Sequence, residues 1–343
     1  MMKTWHKAAL AAVTGMFAAT ALTVTHAAEI PKPGDYPKRP ITIIVCFGKG
    51  GGSDQAVAAM QGPLSEIFGV KVNKINKPGG GGVNCLPDFQ QAPADGYTIL
   101  QHGDGMASKY VSGDMDLHPT RTLSPIAITN VAPTAMFVNP DDERFVEDGK
   151  ASWDKVVAYA KANPGQMTVS NINVAMELAT MGKVEEFFGI STKQVMFDKP
   201  AQRYGAVIGG KLDVLMEQPG DVLKHVQAGK LLPVIAIWPE RFDIFADTRA
   251  TGADYGMDWN PLLRLRSFWV KSETPQEIRD YLDAAFREAY KSDEHQAFLK
   301  RKALDIVNSY YGAADMAGIF DEAIGTYTKV FKETGQRVRA DLQ

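Results

Sequence analysis

Apolar and polar positions alternate along this chain in two periods that take turns. The run Ile41-Thr42-Ile43-Ile44-Val45 is β-branched and follows Pro40, and it predicts a strand. From Asp54 to about Phe68 the apolar residues Val57, Met60, Leu64 and Phe68 fall at helical spacing. A second strand is expected from Val70 to Ile75, a short helix from Leu86 to Gln91, and a third strand from Tyr97 to Gln101 after the Asp95-Gly96 turn. The middle of the chain repeats the theme. Helices are predicted over Ser152–Ala162 and Val174–Phe188, and strands over Gln166–Ser170, Lys193–Phe197, Leu212–Met216 and Leu232–Ile237. The tail is helical, over Pro275–Ala289 and Ala313–Phe331. Such alternation implies parallel strands with crossover helices, hence a doubly wound α/β sheet. Two strands, Ile126–Val138 and Leu263–Val270, are long and lie near changes of section, as strands crossing between two lobes would.

Glycines punctuate the ends of the first three strands. "CFGKGGGSD" follows the first strand and precedes a helix, "NKPGGGG" follows the second, and His102 to Gly105 follows the third. Residues without a Cβ let backbone amides approach a guest closely, and a helix N-terminus directly behind them favours an anion. Ligands of doubly wound sheets sit beyond the carboxyl ends of the strands, so all three loops are expected on one rim.

The first residues change the picture of where this happens. Lys3 and Lys7 precede a small, apolar stretch from Ala8 to Val24, and Thr25-His26-Ala27 offers small residues for cleavage. The segment 1–27 therefore reads as a secretory signal, and it is too short and alanine-rich to be read as a membrane span. Without it, 35 basic residues face 40 acidic ones, a charge of −5 that argues against a nucleic-acid partner. The remaining length suits two domains of ordinary size, and 45% hydrophobic residues is a plain globular composition.

Catalytic signatures are missing. Lys49 precedes the glycines where a phosphate-binding P-loop needs a lysine after them, and serine occupies the third glycine slot of a dinucleotide fingerprint. Ser53 belongs to no G-x-S-x-G elbow and reads as a cap or a binding hydroxyl. His102, His118, His225 and His295 are scattered, and Cys46 and Cys85 form no C-x-x-C, so no metal site or cofactor is expected. What is left is a rim of amides, polar side chains and one lysine, which suits capture of a small anion in a backbone nest.

Several segments, in order, resemble the tripartite tricarboxylate transporter receptors, also called Bug proteins. "YPKRPITIIVCFGKGGGSD" is similar to their opening strand and loop, "NKPGGGG" to their N-[RK]-P-G-A-G-G loop, and "APADGYTIL" to their A-x-P-D-G-Y-T-[IL]-L strand entry. "GGKLDVLMEQPGDVLKHVQAGKLLPVIAI" and "SETPQEIRDYLDAAFREAY" resemble their later strand–helix units. The resemblance implies a two-lobe periplasmic-binding-protein fold of type II, each lobe a doubly wound sheet, with two crossing strands between them. Lobe 1 would take residues 28–127, lobe 2 residues 128–262, and the return strand with the C-terminal helices residues 263–343, packing mainly on lobe 1.

The same resemblance implies a function and a site. The protein would be a periplasmic monomer that holds a small organic acid between its lobes and hands it to a membrane permease, with no cofactor and no chemistry. The ligand carboxylate would be held by Phe47, Lys49, Gly50, Gly51, Gly52, Ser53 and Asp54, flanked by Gly80, Gly81, Gly82 and Asn84, and approached by His102 and Gly103. Lobe 2 would add Ser170, Asn171 and Asn173 from the loop after Val169, and Glu217 after the strand Leu212–Met216. Two other functions use the same pocket: an exported enzyme with His102 or Glu217 as acid or base, and a receptor reporting to a signalling partner. The sequence departs from the family at Cys46, a family proline, across Ser170–Ala179, at Phe197–Pro200 and at Glu217, a family aspartate. In an oxidising compartment Cys46 and Cys85 would form a disulfide stapling the first two loops, or else remain two small buried thiols.

Overall fold

A computed structural model describes residues 30–171, 175–197, 200–257 and 264–343. The expected signal segment 1–27, Asn173, Asp198, Lys199 and the predicted strand start at Leu263 lie outside the described residues.

Among the described residues thirteen strands are defined: β1 Ile41–Val45, β2 Val72–Asn76, β3 Thr98–Gly103, β4 Leu123–Ala132, β5 Thr134–Val138, β6 Val146–Glu147, β7 Lys150–Ala151, β8 Thr168–Asn171, β9 Lys193–Met196, β10 Val214–Glu217, β11 Leu232–Ile237, β12 Arg264–Lys271 and β13 Tyr311–Gly312. They build two main sheets. The first has six strands in the order β13-β4-β12-β3-β1-β2, and the second has five in the order β11-β5-β10-β8-β9. Strands β1, β2 and β3 pair in parallel, as do β8, β9 and β10. The expectation of all-parallel strands is corrected at one interior strand per sheet and at the edge strand β13, which runs antiparallel to β4. β12 runs antiparallel to β3 and β4, and β5 runs antiparallel to β10 and β11.

The predicted long strand Ile126–Val138 is two strands broken at Pro133, which has no N–H to give a ladder. β4 belongs to the first sheet and β5 to the second, so this stretch is the crossing between them. The chain re-enters the first sheet as β12.

Each sheet sits on its own core. Ile44, Leu100, Ile128, Val131 and Trp269 pack with Phe320 and Tyr327 of the helix Ala313–Glu333. In the second sheet Met136, Val138, Val169, Val214 and Ile235 pack with Trp153, Val156 and Val184. The helix Ala175–Phe188 contributes to both cores. Its first turns place Met176 and Ala179 in the first, and Met181 and Val184 lie in the second.

Candidate functional site

The first loop folds as the glycines require. Gly50 adopts φ +77°, a left-handed conformation that side chains disfavour, and Gly51 N–H donates to Gly48 O at 3.3 Å. The helix begins at Gly52, two residues earlier than predicted, so the last glycine is its first residue. The first-turn N–H groups of Gly52 and Ser53 therefore have no carbonyl one turn behind them to bond. Gly52 and Ser53 line a cleft of about 1030 Å³ together with Phe47, Lys49, Gly81 and Gly103.

Asp54 belongs to the frame of this loop. Its Oδ2 accepts from Gly50 N–H at 2.8 Å, and its Oδ1 pairs with Lys74 at 2.7 Å and accepts from Asn76 at 3.0 Å. Burial alone would raise its pKa, but the Lys74, Gly50 and Asn76 donors outweigh it and hold the carboxyl below the usual range. Asn76 also donates to Phe47 O at 2.9 Å, which ties the end of β2 to the loop.

The second loop is held from below. Gly79, Gly80, Gly81 and Gly82 all have positive φ. A Cβ on Gly79 would lie 2.2 Å from Asn84 Nδ2, so the Asn84 side chain folds back over its own loop. Cys46 and Cys85 are bonded to each other, with Cα atoms 5.1 Å apart, and the bridge joins the foot of the first loop to the end of the second.

His102 and Gly103 were expected in a loop but end β3. They pair with Ser267 and Arg266 of β12, and this remote partner carries the ladder past the predicted end at Gln101. The His102 ring is fully buried, edge-on to Phe47 with centroids 5.2 Å apart. Its Nδ1 accepts from Gly103 N–H at 2.8 Å, so the proton resides on Nε2, which faces Gly82 O at 3.2 Å. Burial depresses its pKa, with the backbone bonds offsetting part of the effect. The ring is a neutral strut between the two loops.

On the second sheet the predicted residues are engaged with each other. Ser170 Oγ donates to Arg203 O at 3.2 Å, and Asn171 Nδ2 donates to Gln194 at 2.6 Å. Asn171 ends β8 through its pairing with Met196 instead of opening a loop. Glu217 was expected just past its strand but is the last residue of β10, paired with Ala135. It is 2% exposed, ion-paired with Arg203, and accepts from Tyr204 Oη at 3.1 Å and from Gln218 N–H at 2.9 Å.

Among the cleft residues that were not anticipated are two arginines on one strand. Arg264 and Arg266, alternate residues of β12, both reach it. Arg264 pairs with Glu177 of the helix Ala175–Phe188. Burial works against its charge, but Glu177 and more distant acids outweigh that and its pKa is raised. Arg266 has Asp104 at 3.8 Å, and burial lowers its pKa. The signal was present in "RLRSFWV": two charges one residue apart on one face of an otherwise apolar strand. The cations on the cleft wall are Lys49, Lys109, Arg264, Arg266 and Arg337, against the acids Asp104 and Asp114. Asp114 is itself paired with Lys109 and Arg337. The arrangement favours a negative guest and offers donors to it.

A sequence profile of the tripartite tricarboxylate transporter family receptors matches residues 57–335. BugT of Bordetella pertussis is 28% identical over 244 residues, covering 68% of this chain and 69% of BugT. A crystal structure of a TctC solute-binding protein from Polaromonas superposes with a TM-score of 0.74 at 20% identity, over 87% of this chain and 99% of that one. Rpa4515 of R. palustris, solved with adipate, gives 0.68 at 19% identity, over 88% and 99%. At these identities the two structures share the fold.

Proposed function

This chain belongs to the tripartite tricarboxylate transporter receptor family, and from that premise we propose that it is a periplasmic receptor. It captures a small organic carboxylate between its two sheets and delivers it to a membrane permease of the tripartite tricarboxylate type. The observation that carries the reading is the glycine loop before Gly52–Phe68, whose residues line a cation-rich cleft also bordered by Ala175 and Met176 of the second sheet's helix. Oriented N–H groups at a helix N-terminus replace the water of a carboxylate without a catalytic group. The adipate held by Rpa4515, which shares this fold, is consistent with such a guest.

The enzyme reading draws no support from its two candidates. His102 is buried and neutral with both ring nitrogens engaged, and Glu217 is committed to Arg203, Tyr204 and Gln218. A thermal-shift screen of mono-, di- and tricarboxylates, aliphatic and aromatic, tests the receptor reading. A ligand at a hundred times its Kd adds about 2.7 kcal/mol of stability. Stabilisation without turnover supports a receptor, whereas consumption of the acid by the pure protein overturns it. Transport of the stabilising acid by membranes carrying the permease, dependent on added receptor, tests delivery. Recovery in the periplasmic fraction without residues 1–27 tests location.

A further inference from the structure

The cleft has a neck, and the neck holds a charge in an uncomfortable place. A second cavity of about 270 Å³ adjoins the first, and the two share Gly52, Arg264 and Arg266. The Arg266 guanidinium lies directly against Gly52, where a Cβ would come within 2.9 Å of Nη2. Gly52 is the first residue of a 17-residue helix, so a cation rests on the positive end of a helix dipole.

The local partners do not satisfy this cation. Its Nη1 donates to Leu265 O at 2.8 Å, and the carboxylate of Asp104 lies 3.8 Å away, beyond hydrogen-bond range. Nε of Arg266 is buried with no acceptor among the described residues, and so is Nε of Arg264. Buried donors left without acceptors lose the hydration they had in water and regain nothing. Beyond the neck, the wall of the smaller cavity carries Arg203, already paired with Glu217, and Lys302, which makes no ion pair among the described residues. Asp221 is the acid on that wall. An oxyanion in the neck would supply a counter-charge to both the guanidinium and the helix end, and would reach the part of the Arg266 side chain, 19% exposed, that stays open to the two cavities.

We propose that Arg266, supported by Arg264, is the specificity-determining residue of this receptor and reads a second acid group on its ligand. This rests on the receptor reading, with the first acid group on the amides of the glycine loop. The ligand is then a diacid with one carboxylate on the Lys49 side of Gly52 and the other in the neck. A bidentate guanidinium contact selects for charge and for planar oxygens, which amides alone do so less strictly.

Calorimetry with matched pairs tests this: succinate against butyrate, glutarate against valerate, adipate against hexanoate, and phthalate against benzoate. The best diacid should bind the purified protein at least tenfold more tightly than its monoacid partner, with a steeper loss of affinity in salt. Arg266→Gln should collapse that ratio towards one, and Arg266→Lys should keep part of it. Equal binding of diacid and monoacid by the unaltered protein, with equal salt dependence, overturns the proposal and leaves the receptor reading standing. So does a preference unchanged in a folded Arg266→Gln protein. If none of the eight acids binds, this proposal falls, and the receptor reading stands or falls on the wider thermal-shift screen. The salt comparison needs no variant, so a variant that fails to fold does not block the test.

Discussion

Arg264 of the first sheet is ion-paired with Glu177 in the first turn of the helix that follows β8 of the second sheet. Both side chains are largely buried, and the pair joins the two halves beside the cleft. A buried cation stripped of its partner costs far more than the pair contributes. Glu177→Ala should therefore lower stability by about 3 kcal/mol. Replacing both residues with apolar side chains should cost less than that single change. Urea denaturation of the two variants decides it, and equal losses would show that the two residues act independently.

Gly220, in the helix Pro219–Gln227 of the second sheet, packs on the backbone at the C-terminal cap of the helix Asp293–Arg301. A Cβ at position 220 would stand 1.8 Å from the carbonyl oxygen of Lys302. No rotamer relieves a clash with backbone, so Gly220→Ala must move one half away from the other. We expect at least a tenfold loss of ligand affinity with a well-formed fold by circular dichroism. Unchanged affinity would mean that this contact does not set closure.

The Cys46–Cys85 bridge closes a loop with a sequence separation of 39. Chain entropy assigns such a cross-link about 4 kcal/mol. Cys46→Ala with Cys85→Ala should lose roughly that much in denaturant and bind ligand more weakly, because the two loops are no longer held in place beforehand. A loss of stability with intact affinity would confine the bridge to a structural role.

Acid should weaken the protein in two successive windows. Burial holds the folded His102 pKa below its ordinary 6.5, so the unfolded chain takes up its proton first. Its contribution is complete above pH 6.5 and declines as pH falls from there through the folded value. His118 and His295 are shifted in the same direction, mainly by burial. His102→Phe should flatten part of that slope. Asp54 acts lower: its folded pKa lies below 3.8, so its contribution holds above about pH 4 and is lost as pH falls through the folded value. Asp54→Asn should remove that second decline. Stability measured from pH 8 to pH 3 separates the two, and an Asp54→Asn profile matching the unaltered protein would reject the second.

Much of this was legible along the chain because local pattern decides local structure. The helix Leu86–Gln91 and the strand Leu232–Ile237 match their expected bounds end to end, since turn residues bracket them. The glycine loop was legible because only its composition permits its backbone. The strand ends at His102 and Glu217 were not, because they depend on β12 and β5, partners in the same sheets that are remote along the chain. Arg264 and Arg266 were passed over because charges in a strand ordinarily mark a solvated face. Here that face turns inward to the cleft, a fact of topology rather than of spacing.

The strand order has a consequence for how the chain acquires its shape. The second sheet is assembled from one continuous stretch, β5 to β11, and every one of its pairings is available once residue 237 has been made. The first sheet is different, because β12 lies between β3 and β4 and separates them. A chain emerging from the ribosome can pair β1 with β2 and β3, but β4 has no neighbour in this sheet until residues 264–271 arrive. Long-range closures of this kind are slow, so the N-terminal portion stays open, with its apolar strands exposed, for most of synthesis. That interval is when the chain is most exposed to aggregation.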